Sequence, residues 1–161
     1  MIISFTGHRP NKIVGIEDNI FHAIKKLLID KKPEICIVGM AQGVDIIAAK
    51  ACIDLNIEFI AAVPFPNQWS SLGYNELVDY NNVITKASLI VEVCKSYEGV
   101  WVFQKRNEWM VDNSDITAAV WNGTKGGTAN CVKYALKKNK TVIFWQSGEN
   151  WNADIPTIGR F

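Results

Sequence analysis

The chain has 161 residues, of which 48% are apolar and 20% are charged, and its 17 Lys and Arg residues face 16 Asp and Glu residues. This length and composition predict one soluble domain over residues 1–161, with a full hydrophobic core. The net charge of +1 argues against a general attraction to nucleic acid or acidic membranes. No apolar run approaches the ~20 residues of a membrane span, and the chain begins with a predicted strand rather than a charged leader.

The cysteines and histidines indicate neither a disulfide framework nor a metal centre. Cys36, Cys52, Cys94 and Cys131 form no Cys-x-x-Cys pair and fall in predicted strands or helices. We therefore expect reduced, mostly buried thiols and a cytoplasmic location. With only two histidines in the sequence and no Cys/His cluster, we predict no metal site.

Short apolar segments alternate with helix-period segments along the chain. The alternation predicts an α/β fold with three layers, in which helices cover both faces of a mainly parallel sheet of about six strands. We expect the tail, residues 146–161, to pack on the body or on a partner subunit. Five helices are predicted. The first has Asp18 as its N-cap, the second ends at about Leu55, and the third begins at about Asn75. The fourth runs from about Gln104 to Asp112, and the fifth from Cys131 to Lys138. The predicted strands are residues 2–5, 35–38, 59–63, 89–93, 116–120 and 141–145.

Polar or glycine-containing turns follow several of these strands, and carboxyl ends of parallel strands share one edge of the sheet, where ligands bind. The turn at residues 122–128 leads into a helix, whose first N–H groups lack internal partners and carry partial positive charge. Glycines there allow a phosphate or carboxylate to approach the backbone. The helix before the fifth strand begins at the same edge. We therefore predict a binding site composed of Thr6, Gly7, His8, Arg9, Gly39, Gln42, Gly43, Asp45, Arg106, Asn107, Asn122, Gly126, Gly127 and Thr128.

Several members of this predicted site have alternative interpretations. Arg9 and Arg106 are candidate phosphate partners, because a guanidinium binds phosphate in bidentate fashion. His8 either contacts the ligand or donates a structural hydrogen bond. Trp69, Tyr74 and Tyr80 could stack on a base from a lid, although burial over the sheet is the commoner role of such aromatic residues.

The sequence contains neither G-x-G-x-x-G nor G-x-x-x-x-G-K-[ST], which disfavours an ordinary dinucleotide site and a P-loop. Taken together, the motifs it does contain resemble those of the SLOG superfamily. That Rossmann-like group includes the DNA-processing protein DprA and the LOG cytokinin-activating phosphoribohydrolases. The chain most resembles the small YpsA-like and phage-encoded SLOG proteins, over about residues 2–145. The motifs are Thr6-Gly7-His8-Arg9-Pro10, Gly39-x-x-x-Gly43-x-Asp45, Arg106-Asn107-x-x-Met110 and Gly126-Gly127-Thr128.

The resemblance implies a nucleotide or nucleotide-derived ligand, with no further cofactor. Its phosphate would lie on Gly126, Gly127 and Thr128, while Gly39 and Gly43 would allow close approach. Asp45 would cap the second helix or hold a ribose hydroxyl. By analogy with relatives, a homo-oligomer is also expected.

The same resemblance bears on catalysis. LOG enzymes use an arginine, which Arg106 matches, and a glutamate, whose position falls on Cys131. Glycosidic cleavage needs a carboxylate near the anomeric carbon, so we expect a non-catalytic binder that senses or sequesters its ligand. The alternative is an N-glycosidase, phosphoribohydrolase or deoxyribosyltransferase acting through Arg106, Glu76 and Glu108. DprA-like binding of single-stranded DNA is disfavoured, because the sequence has no basic stripe.

Overall fold

The computed structural model describes residues 1–159 and 161, and a seven-stranded sheet lies at its centre in the order β4-β3-β2-β1-β5-β6-β7. Neighbouring strands from β4 to β6 pair in parallel, and β7 pairs antiparallel with β6. The strands are β1 (Ile2–Gly7), β2 (Ile35–Val38), β3 (Phe59–Val63), β4 (Leu89–Glu92), β5 (Ile116–Val120), β6 (Thr141–Ser147) and β7 (Asn150–Asn152).

In the described part of the chain, five helices cover the two faces of the sheet. Helices α1, α2 and α3 pack together on one face, and α4 packs beside α5 on the other. The predicted three-layer α/β class is thus confirmed. Short 3-10 turns occupy Pro10–Lys12 and Gln68–Ser71. The helices are α1 (Glu17–Lys31), α2 (Val44–Asp54), α3 (Tyr74–Ile84), α4 (Trp101–Asp112) and α5 (Gly127–Lys137).

The central strand β1 is buried on both of its faces. Ile3 and Phe5 are fully buried in the cluster formed with α1 and α2, while Ser4 on the opposite face is also buried. The Ser4 hydroxyl lies 3.2 Å from the Thr117 hydroxyl and accepts a hydrogen bond from Ser114 Oγ at 2.9 Å. These mutual bonds satisfy polar groups that would otherwise be costly to bury.

Three helix starts differ from the sequence predictions. Helix α1 begins at Glu17 with Ile16 as its N-cap, so Asp18 lies in the first turn instead of capping it. There its carboxylate still complements the positive end of the helix dipole. Helix α4 begins at Trp101, earlier than Gln104, and α5 begins at Gly127, well before Cys131. The glycine turn itself therefore forms the N-terminus of α5.

The tail after β6 contacts the body of the same chain. The Trp151 indole N–H donates to the Ala23 carbonyl on α1 at 3.0 Å, and the Gly159 N–H donates to the Asn122 carbonyl at 2.7 Å. The Phe161 ring lies 5.5 Å from the Trp145 ring. Within the described residues, no helix combines the length and apolarity needed to cross a bilayer.

Candidate functional site

A cleft of about 250 Å³ lies at the carboxyl end of β1, between the first turns of α2 and α5 and the side of α4. This is the sheet edge at which ligands bind in open α/β folds. We call it the main cleft. It is lined by Thr6, Gly7, His8, Arg9, Asn11, Lys12, Ala41, Asp45, Phe103, Arg106, Asn107, Thr124, Lys125, Gly126, Gly127 and Thr128.

The N-terminus of α5 opens into the main cleft without a side-chain cap. Gly126 is the N-cap residue, with φ of +144°, a conformation that favours glycine. A Cβ atom built on Gly126 or on Gly127 would meet nothing within 4 Å. The first N–H groups of a helix have no intrahelical partner. The start of α5 therefore presents bare donors and the positive end of the helix dipole to open space.

Basic side chains predominate in the main cleft. Arg9, Lys12, Arg106 and Lys125 line it, and Asp45 is the one acidic residue among its lining residues. The Lys12 ammonium donates to the Thr124 hydroxyl at 2.9 Å, which ties the segment after β1 to the turn before α5. A low-dielectric cleft with this excess of positive charge favours an anionic ligand.

The floor of the main cleft is built around Gly39 at the end of β2. The Arg106 guanidinium donates to the Gly39 carbonyl and, through Nε, to the Asn107 side chain at 2.8 Å. Asp45 accepts the Ala41 N–H at 3.1 Å. A Cβ on Gly39 would lie 2.7 Å from both the Arg106 guanidinium and the Asp45 carboxylate. Glycine is required here because two side chains occupy that space.

Asp45 and Arg106 are both buried, with 7% and 4% of their surfaces exposed. Burial raises the pKa of Asp45, and the positive charge of Arg106 opposes that rise. Burial likewise lowers the pKa of Arg106, and the charge of Asp45 opposes that fall. Each group therefore favours the charged form of the other against the effect of burial.

His8 is held as a hydrogen-bond acceptor. The Asn122 N–H points at His8 Nε2 at 3.1 Å, so that nitrogen carries no proton. Burial, and to a lesser extent the charge of Lys12, lower the pKa of His8, although the Asn122 side chain opposes the shift. The Phe161 ring packs edge-on against the imidazole at 5.6 Å. His8 thus links β1 to the turn after β5 as a neutral side chain.

A second cavity of about 90 Å³ adjoins the main cleft and shares Arg9 and Phe103 with it. Gln42, one of the predicted site residues, lines this cavity and not the main cleft. The remaining lining residues come from the end of β2 and from the segment that carries the second 3-10 turn and α3. They are Met40, Phe65, Gln68, Ser71, Leu72 and Tyr80.

Most of the predicted site residues lie together. Three of them lie directly behind the lining of the main cleft, namely Gly39, Gly43 and Asn122. Gly43 has φ of +98°, and a Cβ atom there would lie 2.3 Å from the His8 carbonyl oxygen. The Asn122 side-chain oxygen accepts a hydrogen bond from the Thr124 hydroxyl at 2.6 Å. Those that line the main cleft are Thr6, Gly7, His8, Arg9, Asp45, Arg106, Asn107, Gly126, Gly127 and Thr128.

Sequence reasoning missed several lining residues, among them Lys12, Phe103 and Lys125. Lys125 lies inside the predicted glycine turn and could have been found from its position. Lys12 had no such signal, because an isolated lysine after a proline resembles any solvated surface residue. Phe103 precedes the Arg106-Asn107 motif by one helical turn, which places both on one side of α4.

The carboxylates considered for catalysis lie elsewhere. Glu76 is exposed and accepts the Gly73 N–H at 3.2 Å as part of the N-terminal cap of α3. Glu108 accepts a hydrogen bond from the Gln104 amide at 3.3 Å. Neither lines the main cleft or the second cavity. Cys131 is buried, and burial raises its pKa to about 11, so it is a neutral thiol at physiological pH.

Of the three aromatic residues considered for stacking, Tyr80 is buried and lines the second cavity, whereas Tyr74 is 82% exposed and Trp69 is 43% exposed. Asp45 does not cap α2 through its side chain, because Gly43 is the N-cap and Asp45 accepts the N–H of Ala41. In the part of the chain that the structure describes, no three His, Cys, Asp or Glu side chains are grouped to hold a metal ion.

Two similar proteins of known sequence come from bacilli. The uncharacterized SPbeta prophage-derived protein YoqJ of Bacillus subtilis (strain 168) is 29% identical over 160 residues, which cover 89% of this chain and 93% of YoqJ. A UPF0398 protein of Lysinibacillus sphaericus (strain C3-41) is 22% identical over 148 residues, which cover 83% of each chain.

Two solved structures share the fold at low identity. DNA processing protein A of Helicobacter pylori matches with a TM-score of 0.66 and 19% identity, over 89% of this chain and 64% of that one. The molybdenum cofactor carrier protein of Chlamydomonas reinhardtii matches with a TM-score of 0.61 and 19% identity, over 89% and 74%. The YspA SLOG family model matches residues 3–153, which confirms the predicted resemblance: the chain belongs to the YspA SLOG family.

Proposed function

We propose that the main cleft binds the phosphate of a nucleotide or nucleotide-derived small molecule, such as one related to NAD or ADP-ribose, and that the protein senses or sequesters that molecule. The observation that carries this proposal is the uncapped start of α5, which opens into a cleft with four basic side chains and one carboxylate. Helix N-termini with glycine at the first positions are common phosphate sites. Arg9, Lys12 and Lys125 would add charge-assisted hydrogen bonds.

The size of the main cleft is compatible with part of a nucleotide. Its volume of about 250 Å³ is below the ~300–1,000 Å³ typical of pockets for drug-sized ligands. We infer that the cleft takes the phosphate and sugar of a mononucleotide unit, and that any remaining part of the ligand extends beyond it.

The structural neighbours support ligand binding by this fold without selecting a ligand. DNA processing protein A of Helicobacter pylori binds single-stranded DNA, and the algal neighbour is a carrier of the molybdenum cofactor. The net charge of +1 on the whole chain favours a small molecule over a nucleic acid, because DNA binding depends on neutralising many phosphates along an extended surface.

The positions of the acidic residues favour binding over cleavage. Asp45 is the one carboxylate among the lining residues, and it already accepts the Ala41 N–H beside Arg106. Cys131, at the position of the LOG glutamate, is a buried thiol that stays protonated. A neutral thiol in a helix can neither stabilise a developing positive charge nor activate water. N-glycosidic cleavage remains the alternative to test.

A thermal-shift panel on the purified protein tests the proposal. The panel holds AMP, ADP-ribose, NAD, cyclic ADP-ribose and cyclic dinucleotides, and each compound is recovered and checked by chromatography. A ligand present at about 100 times its Kd stabilises the folded state by roughly 2.7 kcal/mol, which corresponds to a shift of about 5–10 °C for a chain of this size.

The possible outcomes separate the two functions. A shift with the ligand recovered intact supports a binder, and the most effective compound identifies its class. Release of free base by the wild-type protein that is abolished in Arg106→Ala, in a preparation that urea unfolding shows to be folded, supports the N-glycosidase instead. If no phosphate-bearing compound shifts the melting temperature, the phosphate site at the start of α5 is wrong.

A further inference from the structure

The second cavity contains two buried polar atoms without partners. Among the described residues, Gln42 Nε2 and Gln68 Oε1 are the buried side-chain nitrogen and oxygen atoms that make no hydrogen bond. Both glutamines line this cavity. Buried polar groups are almost always hydrogen-bonded, and those that are not require an explanation. Two such atoms in one small cavity suggest that their partner is a molecule that enters it.

The two atoms have complementary character. Gln42 offers an amide N–H donor and Gln68 offers an amide carbonyl acceptor. A molecule that satisfies both must therefore present an acceptor and a donor along one edge. Every nucleobase carries such a pair on its hydrogen-bonding edge, and a phosphate or a bare sugar ring does not present it in a planar arrangement.

The walls of the cavity suit a flat ring. Phe65, Tyr80 and Phe103 line it, and the Phe65 and Phe103 rings lie 6.0 Å apart at 71°. Aromatic side chains are favourable neighbours of a base because each base has a π-face. The volume of about 90 Å³ is less than the ~150 Å³ of a cavity that binds benzene, so the cavity takes the edge of a ring and not a whole bicyclic base.

The second cavity lies next to the main cleft. Arg9 and Phe103 line both, so a ligand with its phosphate at the start of α5 can reach the second cavity with its other end. The edge of a ring that enters this cavity would offer Gln42 Nε2 and Gln68 Oε1 the hydrogen-bond partners that they lack.

We propose that the second cavity recognises the hydrogen-bonding edge of a planar nitrogen heterocycle, through the Gln42 amide N–H and the Gln68 carbonyl. This inference deepens the proposed function and rests on it, since the heterocycle is the base of the ligand whose phosphate the main cleft binds. The two glutamines, from the turn after β2 and from the 3-10 turn after β3, would set which base is accepted.

The test compares ligands with and without a base on matched variants. Gln42→Met and Gln68→Met keep the length of the side chain and remove its hydrogen-bonding group. Gln104→Met is the control, because Gln104 lies on α4 outside both cavities. Isothermal titration calorimetry measures binding of AMP, GMP, CMP, UMP and ribose 5-phosphate to each protein, and urea unfolding verifies that each variant folds.

We expect the wild-type protein to bind at least one nucleoside monophosphate more tightly than ribose 5-phosphate. Each glutamine variant should lose about tenfold in affinity for that nucleotide, keep its affinity for ribose 5-phosphate, and unfold no more readily than wild type. The control should match the wild type throughout. The preferred nucleotide would show whether a purine or a pyrimidine enters.

Two results would overturn the proposed heterocycle site without contradicting the phosphate site. The first is equal affinity of the wild type for ribose 5-phosphate and for all four nucleotides. The second is nucleotide binding that neither Gln42→Met nor Gln68→Met weakens. If the wild type binds none of the phosphate compounds, the proposed function fails, and the four corresponding nucleosides then test the second cavity alone. Nucleoside binding that Gln68→Met weakens supports the heterocycle site, and no nucleoside binding overturns it.

Discussion

The two glycine turns of this protein look alike in sequence and differ in the structure. The turn from Gly39 to Gly43 follows β2 and leads into α2, and the turn at Gly126 and Gly127 follows β5 and leads into α5. In the first, the space beside the glycines is filled by Arg106, Asp45 and the His8 carbonyl. In the second, the space is empty. Glycine after a strand can therefore serve internal packing or ligand access, and only the surroundings distinguish the two.

We infer that the two turns have different roles, one in folding stability and the other in ligand binding. The first turn holds a buried pair of charged side chains and so fixes the floor of the main cleft. The second leaves backbone donors free for a ligand. Changes at the first turn should therefore act on folding stability, and changes at the second should act on binding. Four predictions test this division.

Arg106→Met should have the largest effect, because it leaves the Asp45 carboxylate buried without its neighbouring positive charge. Leaving a buried ion without its compensating charge costs up to about 3–5 kcal/mol, and we expect the free energy of unfolding, measured in urea, to fall by up to that amount. The double variant Arg106→Met/Asp45→Asn should recover much of the loss, because no charge then remains buried. Equal stabilities of Arg106→Met and the wild type would contradict the pairing.

Gly39→Ala and Gly127→Ala make the same substitution at the two turns and should differ in sign. At Gly39 the new Cβ would lie 2.7 Å from Arg106 and Asp45, and overpacking of this kind costs about 1–3 kcal/mol. At Gly127 the Cβ meets nothing within 4 Å, and alanine at this first helical position should stabilise by up to the roughly 0.5–1 kcal/mol that it gains over glycine in the middle of a helix. Urea unfolding of the two variants measures the contrast, and similar losses would remove the distinction between the turns.

Gly127→Pro should lower ligand affinity without unfolding α5. Gly127 is the first helical residue, where proline is well tolerated because its missing N–H has no intrahelical partner. The variant therefore deletes one backbone donor at the proposed phosphate position. Hydrogen bonds to charged groups contribute about 1.5–3 kcal/mol, so we expect a loss of at least about tenfold in affinity.

The matched control for that variant is Gly127→Ala, which adds a comparable Cβ but keeps the N–H. Calorimetry with the best ligand of the thermal-shift panel should rank affinities as wild type, then alanine, then proline. If proline and alanine bind alike, the N–H of Gly127 does not contact the ligand.

The sequence was sufficient to predict the fold and the edge at which the main cleft lies. Strands such as Ile35–Val38 and Ile116–Val120 are short, mostly apolar segments between helical ones, and this alternation predicts an α/β fold with a parallel sheet. Strand β7 was not predicted, because Asn150–Asn152 is short and mostly polar and exists only through its pairing with β6.

The parts of the site that escaped prediction depend on contacts between distant segments. The contact between His8 and Phe161, and the bond from Lys12 to Thr124, join residues far apart in the chain. The burial of the Gln68 carbonyl has no local signal either, because polar residues in loops are usually solvated. The nucleotide ligand, the homo-oligomer and the cytoplasmic location stay predictions.

The smallest expected effect is on the pH dependence of folding stability, through the hydrogen bond by which His8 joins the end of β1 to the turn after β5. His8 accepts the Asn122 N–H, and burial lowers the pKa of His8 from a reference of about 6.5. Just below pH 6.5, His8 binds a proton in the unfolded chain more readily than in the folded chain. Because the unfolded state then binds more protons, the free energy of unfolding rises with pH in this range. The contribution is complete above about pH 6.5 and is lost as the pH falls through the lower pKa of the folded state.

His8→Gln isolates this contribution, because a glutamine carbonyl can still accept the Asn122 N–H but does not titrate. Urea unfolding between pH 5 and 7.5 should show a smaller loss of stability on acidification for His8→Gln than for the wild type. The control is His22→Gln, at an exposed position on α1, which should retain the wild-type slope. If His8→Gln also retains it, His8 is not the neutral acceptor that joins β1 to the turn before α5, and other contacts, such as the bond from Lys12 to Thr124, would hold that turn against β1.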